Sequence, residues 1–132
     1  MPEHPMRILI VDDDKTNRRL MARMLGRLGY TQVEEAGDGL ACLEQVAAGF
    51  YPLIFLDISM PGIDGLETCE RIRNMQTALH PRSWIVACTA HAGQSGQTAL
   101  RQRGFDDVLT KPFLSLQLEA AINGAPRPTK EL

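Results

Sequence analysis

The sequence predicts an α/β protein whose parallel sheet is covered by helices on both faces. Short apolar runs such as 8–11 and 53–56 have the continuous hydrophobicity of strands buried on both sides. Segments with apolar residues at helical spacing follow such runs, giving a strand-helix order repeated five times. Because strands that alternate with helices pack as parallel sheets, this order predicts a doubly covered sheet.

The first half of the chain supplies three strands and two helices. Strands are predicted at 7–11, 32–36 and 52–56, where β-branched and other apolar residues cluster. The first helix, 15–28, has an apolar face, and four arginines occupy its other face: Arg18, Arg19, Arg23 and Arg27. The second helix spans 40–47. Glycines end these helices at Gly29 and Gly49, and Asp14 and Asp38 are candidate N-caps.

The second half repeats the pattern with two further strands and three helices. Leu66, Cys69 and Ile72 mark a helix that starts after Gly65. Strands are predicted at 84–88 and 107–109, with a polar helix, 94–103, between them. Apolar residues from 116 to 122 predict a last helix, with Ser115 as its candidate cap.

Length and composition limit the classes of function. The 132 residues and net charge of −2 suit one domain, predicted at 1–124 with a flexible tail at 125–132, and give no reason to expect direct nucleic-acid binding. No apolar run is long enough for membrane insertion and the start lacks a signal peptide, so we expect a cytoplasmic protein. The three scattered cysteines are expected to be reduced thiols in the core; they are Cys42, Cys69 and Cys88.

The polar side chains that could carry chemistry all fall at the ends of predicted strands. Asp12, Asp13 and Asp14 follow the first strand, and Asp57 follows the third. Thr89 follows the fourth strand, and Lys111 follows the fifth. Since function in parallel α/β sheets gathers at the carboxyl ends of the strands, we expect these residues to meet at one edge.

Several carboxylates at one edge imply a cation. Asp12, Asp13 and Asp57 would repel one another at close range, and a divalent ion such as Mg²⁺ would remove that cost. Asp14 is explained as a helix N-cap, but capping does not explain the second acid at Asp57. An Asp carboxylate can accept a phosphoryl group, with Mg²⁺, Lys111 and the Thr89 hydroxyl neutralising the phosphate oxygens.

The chain resembles the receiver domains of bacterial response regulators and hybrid histidine kinases from about residue 7 to residue 122. Four segments carry the resemblance: Ile8–Asp13, Leu56–Gly65, Ala87–Ala92 and Leu109–Phe113. It implies a flavodoxin-like (βα)5 fold with sheet order 2-1-3-4-5. It implies Asp57 as phosphoacceptor, with Thr89 as switch hydroxyl and Lys111 on the phosphoryl group. The implied Mg²⁺ ligands are Asp12, Asp13, Asp57 and the Ser59 carbonyl, and the Lys111–Pro112 bond is expected to be cis.

The resemblance also implies partners. A histidine kinase or histidine phosphotransfer protein would supply the phosphoryl group, and a protein target would read the signal. A weak homodimer through the fourth helix, fifth strand and fifth helix is a further expectation. Asn17 and the Thr89–Ala92 stretch resemble receivers of hybrid kinases. The family usually has an aromatic residue where this chain has Val108, so the conformational readout is expected to be weak.

Other functions fit the residues less well. An Asp-nucleophile phosphatase of the haloacid-dehalogenase type would use the Asp-x-Asp pattern that Asp12 and Asp14 formally supply, but it leaves Lys111-Pro112 without a purpose. A nucleotide-binding module would need a glycine-rich loop after the first strand, which the chain lacks. We therefore expect no enzymatic activity beyond the protein's own phosphorylation and dephosphorylation, unless the chain is a domain of a larger hybrid kinase. The start and the proline-rich tail suit a stand-alone chain, although a domain cut from a longer protein would look the same.

Overall fold

A computed structural model describes residues 6–76, 81–91 and 93–126 and has the predicted alternation of strands and helices. The strands are β1 Ile8–Val11, β2 Val33–Ala36, β3 Leu53–Asp57, β4 Trp84–Thr89 and β5 Asp107–Thr110. The helices are α1 Lys15–Arg27, α2 Gly39–Ala48, α3 Gly65–Met75, α4 Gln94–Gln102 and α5 Ser115–Asn123. All strand pairs are parallel and their order is β2-β1-β3-β4-β5, which confirms the predicted fold class.

Two apolar cores lie on opposite faces of the sheet. In β1, Ile8 and Ile10 face the core formed with α1 and α5, whereas Leu9 and Val11 face the core formed with α2 and α3. β3 is buried along its whole length, and β4 is buried at its four central positions. Alternate side chains therefore fill both cores, which explains why these strands are apolar throughout.

The helix ends follow most of the predicted signals. Asp14 accepts hydrogen bonds from the backbone of α1, and Asp38 accepts one from the backbone of α2. Gly29 follows α1 at a φ of 98°, where glycine is favoured over residues with a Cβ. The Ser115 cap was wrong: α5 begins at Ser115, and the Gln117 side chain instead accepts the Leu114 N–H at 2.6 Å.

A half-buried arginine joins α3 to the edge of the sheet at which β4 and β5 begin. The Arg73 guanidinium donates to the carbonyl oxygens of Ser83 and Gly104 and pairs with Asp106 at 2.7 Å. Its side chain is 17% exposed, so these contacts replace water almost completely. Arginine suits this position because its planar fork serves several acceptors at once.

The remaining whole-chain predictions have mixed outcomes. All three cysteines are free and buried, and burial raises the pKa of Cys42 and of Cys88 to about 12, as expected for unreactive core thiols. Ala125 packs into a core, and residues 127–132 of the predicted tail lie outside the described residues, so the boundary at 124 stays a prediction. Across the described ranges, no helix has both the length and the apolar character needed to cross a membrane.

Candidate functional site

The predicted site residues meet at the carboxyl edge of the sheet. Asp57 is the last residue of β3 and Thr89 is the last residue of β4. Asp12 and Lys111 stand one residue beyond β1 and β5. The pairing of these strands brings residues that are up to 99 positions apart in sequence to one edge.

Three carboxylates and one ammonium form the centre of the site. Oxygens of Asp12, Asp13 and Asp57 lie within 4.8 Å of one another. Lys111 Nζ lies 3.1 Å from Asp57 Oδ1 and 3.5 Å from Asp12 Oδ2, so it bridges two of the acids. Asp12 and Asp57 are buried, whereas Asp13 is exposed.

The electrostatics of the site depend on burial and on Lys111. Burial raises the pKa of Asp57 above its usual range, and the Asp12 charge adds to that effect, while Lys111 and the Ser59 amide oppose it. Burial alone would lower the pKa of Lys111. The hydrogen bond to Asp57 and the charges of Asp57 and Asp12 outweigh that effect and raise its pKa, so the ammonium stays charged near neutral pH.

This donor set fits a hard divalent cation. Three carboxylates against one ammonium leave two net negative charges, which a divalent ion would balance. Mg²⁺ prefers oxygen ligands at about 2.0–2.1 Å and usually keeps several waters, so a few carboxylates at the mouth of a site suffice. The spacing of 4.8 Å or less needs only small side-chain movements to reach one ion.

The turn after Asp57 is held against the start of α3. The Gly65 N–H donates to the Ile58 carbonyl oxygen at 2.8 Å, and Asp64 caps α3 by accepting from the Glu67 N–H. A Cβ on Gly65 would lie 2.2 Å from the Asp57 carbonyl oxygen, so only glycine fits there. The position of the acid therefore depends on a close backbone contact that spacing alone did not reveal.

Thr89 and Ser59 stand beside the acids but have different contacts. The Thr89 hydroxyl accepts from the His91 N–H at 3.1 Å and donates to the His91 carbonyl oxygen at 3.3 Å. The Ser59 backbone N–H lies close enough to Asp57 to oppose the rise in the pKa of that carboxyl group. The Lys111 N–H donates to the Thr89 carbonyl oxygen at 2.8 Å, and the Lys111–Pro112 bond is cis, as expected.

Sequence reasoning missed one side chain that touches the site. Arg18, assigned to the polar face of α1, donates from Nη1 to the Asp12 carbonyl oxygen at 2.7 Å. The position of Arg18 in the sequence gives one indication of this contact. A cation in the first turns of a helix interacts unfavourably with the helix dipole, so an acidic partner outside the helix is expected. That partner, Glu35, comes from a neighbouring strand, which spacing cannot show.

A pocket of about 380 Å³ opens beside Asp12 and Lys111. Its walls come mainly from apolar side chains of α1 and of the segment after β5, including Met21, Met24 and Phe113. Leu20 stands at this pocket with 55% of its surface exposed. The site is therefore bordered by an apolar surface that a partner could cover.

Comparison with known proteins agrees with this geometry. The family model for the response regulator receiver domain matches residues 8–123. The chain is 41% identical over 125 residues to the response regulator MprA of Mycobacterium leprae, covering 95% of this chain and 53% of that protein. It is 37% identical over 117 residues to the sensor histidine kinase GacS of Pseudomonas protegens, covering 88% of this chain and 13% of that protein.

A solved structure of a receiver domain also resembles this chain. The receiver domain of the histidine kinase CKI1 from Arabidopsis thaliana, solved in complex with Mg²⁺, has a TM-score of 0.80 at 29% identity, with 92% of each chain covered. The chain therefore belongs to the response regulator receiver domains of two-component signalling. Accepting a phosphoryl group is the general function of that family, and its members generally bind Mg²⁺ at an acidic cluster.

The relatives set a limit on what the family assignment covers. The chain spans about half the length of the MprA proteins that it matches and a smaller part of GacS. Because both a response regulator and a sensor kinase are among them, the predicted likeness to hybrid-kinase receivers stays a prediction. The phosphatase alternative is not favoured, because the family model that matches residues 8–123 is that of the receiver domain.

Proposed function

We propose that Asp57 accepts a phosphoryl group from a phosphohistidine in a Mg²⁺-dependent reaction. The observation that carries the proposal is the convergence of three carboxylates within 4.8 Å, two of them in contact with one ammonium. Asp12, Asp13, Asp57 and the Ser59 carbonyl would hold Mg²⁺. The ion would neutralise phosphate oxygens, which is the main requirement of phosphoryl transfer.

In the proposed transfer, an Asp57 carboxylate oxygen attacks phosphorus. The O–P bond forms as the P–N bond to the imidazole breaks, and the departing ring, which keeps the electron pair of the P–N bond, takes a proton from solvent to become neutral histidine. The Lys111 ammonium, now 3.1 Å from Asp57, would contact a phosphoryl oxygen. The Thr89 hydroxyl would bind another oxygen after leaving its two contacts with the His91 backbone.

The apolar pocket suits the protein that donates the phosphoryl group. We place a helix of a histidine kinase or phosphotransfer protein against α1 and the segment after β5, because this surface borders Asp12 and Lys111. A Leu20→Glu variant would then slow transfer from such a protein and leave transfer from acetyl phosphate unchanged. Equal effects on both donors would exclude this surface as the docking site.

Phosphorylation at Asp57 is tested by intact-mass measurement with acetyl phosphate and Mg²⁺. We expect a phosphorylated species in the wild type and none in an Asp57→Asn variant. Asp14→Asn is the matched control, because Asn caps helices as well as Asp does and Asp14 is not a proposed ligand. A wild-type level of phosphorylation in Asp57→Asn would refute the assignment.

The alternative enzyme would behave differently. An Asp-nucleophile phosphatase would carry the phosphoryl group on Asp12 and release phosphate from external substrates. We expect neither, and no turnover beyond the protein's own phosphorylation and dephosphorylation. The downstream target, the weak homodimer through α4, β5 and α5, and the cytoplasmic location stay predictions.

A further inference from the structure

Arg18 lies against the peptide that joins the two acids after β1. Its Nη1 donates to the Asp12 carbonyl oxygen at 2.7 Å, and its Nε donates to Glu35 Oε1 at 3.2 Å. The side chain is 16% exposed, so the guanidinium is fixed between the end of β1 and the neighbouring strand β2. A Cβ on Gly37 would lie 3.4 Å from Arg18 Nη1, so the loop after β2 also confines it.

This contact bears on Asp13 more than on Asp12. The Asp12 carboxylate has its own partners, since Oδ1 accepts the Asp14 N–H at 2.9 Å and Oδ2 lies 3.5 Å from Lys111. Asp13 is exposed, and its carboxylate makes no hydrogen bond or ion pair with any other described residue. Its location therefore depends on the backbone that leads to it.

The planarity of the peptide bond links the two residues. Because the Asp12 carbonyl and the Asp13 amide share one plane, fixing the carbonyl oxygen also fixes where Asp13 starts. Without its donor this peptide could rotate and carry the exposed carboxylate away from Asp57. Glu35 balances the charge of Arg18, so the effect on the acids is one of position more than of charge.

We propose that Arg18 is a positioning residue for divalent-cation binding by Asp12 and Asp13. The inference rests on the proposed Mg²⁺ site. Groups that orient metal ligands from outside the coordination shell typically contribute about 10–100-fold to metal affinity. We expect Arg18, which orients the link between two ligands, to fall at the lower end of this range.

The test compares Mg²⁺ binding by isothermal titration calorimetry in four forms: wild type, Arg18→Met, Arg18→Lys and Arg19→Met. Arg19→Met is the matched control, because it removes the same charge from the same helix and the Arg19 side chain has no hydrogen bond or ion pair with other described residues. We expect Arg18→Met to bind Mg²⁺ about 10-fold more weakly than Arg19→Met. Arg18→Lys keeps the charge but loses the fork of donors, so its affinity should lie between those of wild type and Arg18→Met.

A second measurement separates positioning from general destabilisation. Phosphorylation by acetyl phosphate is followed as a function of Mg²⁺ concentration in Arg18→Met and in Arg19→Met. A positioning role raises the half-saturating Mg²⁺ concentration of Arg18→Met and leaves its rate at saturating Mg²⁺ close to that of the control. A purely structural role would lower the free energy of unfolding without moving the half-saturation point.

Each outcome decides between the proposals. Equal Mg²⁺ affinity in Arg18→Met and Arg19→Met overturns the role of Arg18 and leaves the proposed metal site intact. Absence of Mg²⁺ binding by both wild type and Arg19→Met overturns the metal site itself, and with it this inference. If Arg18→Met does not fold, Arg18→Lys decides, since wild-type affinity in that variant would contradict the proposal.

Discussion

A single methyl group at Gly65 tests whether the close contact behind Asp57 sets the site. In Gly65→Ala the new Cβ would stand 2.2 Å from the Asp57 carbonyl oxygen and 2.7 Å from the Ile58 Cα, whereas real Cβ atoms keep at least 3.0 Å. Both obstacles are backbone atoms, so no side chain can turn away. The end of β3 and the start of α3 must therefore move apart.

The expected magnitudes follow from this displacement. Overpacking of this kind costs about 1–3 kcal/mol, and Gly65 is the first residue of α3, outside the helix interior where replacing glycine gains about 1 kcal/mol. A misplacement of about 1 Å at a reacting group costs on the order of 100-fold in rate. We expect Gly65→Ala to lower the free energy of unfolding and to slow phosphorylation by acetyl phosphate to that extent.

The assays are urea denaturation and the time course of the phosphorylated mass. Gly26→Ala is the matched control, because it lies within α1 and a Cβ there would have no atom within 4 Å. That control should gain up to about 1 kcal/mol of stability and keep its phosphorylation rate. Wild-type stability and rate in Gly65→Ala would show that the strand end moves without consequence, which would refute the reasoning.

Three further predictions concern the rest of the fold. Arg73→Met should cost about 2 kcal/mol in urea denaturation, because the carbonyl oxygens of Ser83 and Gly104 lose their donor while Asp106 keeps its contacts with Arg82 and the Ile85 N–H. Arg71→Met, which breaks an exposed pair on the same helix, should cost under about 1 kcal/mol, and similar losses in the two variants would contradict this. The hydrogen bond from Arg7 lowers the pKa of Glu34. The difference in unfolding free energy between wild type and Glu34→Gln should therefore be present near neutral pH and vanish as the pH falls through that lowered pKa. A difference that does not change with pH would show that the ionisation of Glu34 does not contribute to stability. Because that pair is over a third exposed, the difference should stay under about 1 kcal/mol. Because valine has no ring to relocate, a phosphoryl mimic should shift the amide resonances of α4, β5 and α5 less in wild type than in Val108→Tyr. Larger shifts in wild type than in Val108→Tyr would contradict the weak readout expected from Val108.

The sequence was sufficient for the elements and for the main acids because both depend on local pattern. Runs such as 53–56 are apolar at every position since both faces of the strand are buried, and Asp57 stands where that run stops. Asp14 and Asp38 were predicted as caps because capping involves neighbours in sequence. These features need no knowledge of what lies across the fold.

The features that were missed depend on contacts between distant elements. Arg18 has the spacing of a polar-face arginine, and only the parallel pairing of β1 and β2 brings Glu35 to it. The need for glycine at 65 comes from the approach of α3 to the end of β3. The Ser115 cap failed because the helix incorporates that residue and uses the Gln117 side chain at its start. Residue type alone does not decide which side chain caps a helix or which distant partner a side chain contacts.

Helix α4 differs from the other four helices in how it is anchored. Within the described residues it has no buried side chain, and Gly93 gives its start no side-chain cap. Such a segment opens at a small fraction of the global unfolding free energy, so its amides should exchange with solvent far faster than those of β3 or β4. α4 follows directly after the turn in which Thr89 bonds to His91. A change in that turn would therefore reach a weakly anchored helix, and amide exchange rates in α4 would report the change although Val108 has no aromatic ring to rotate.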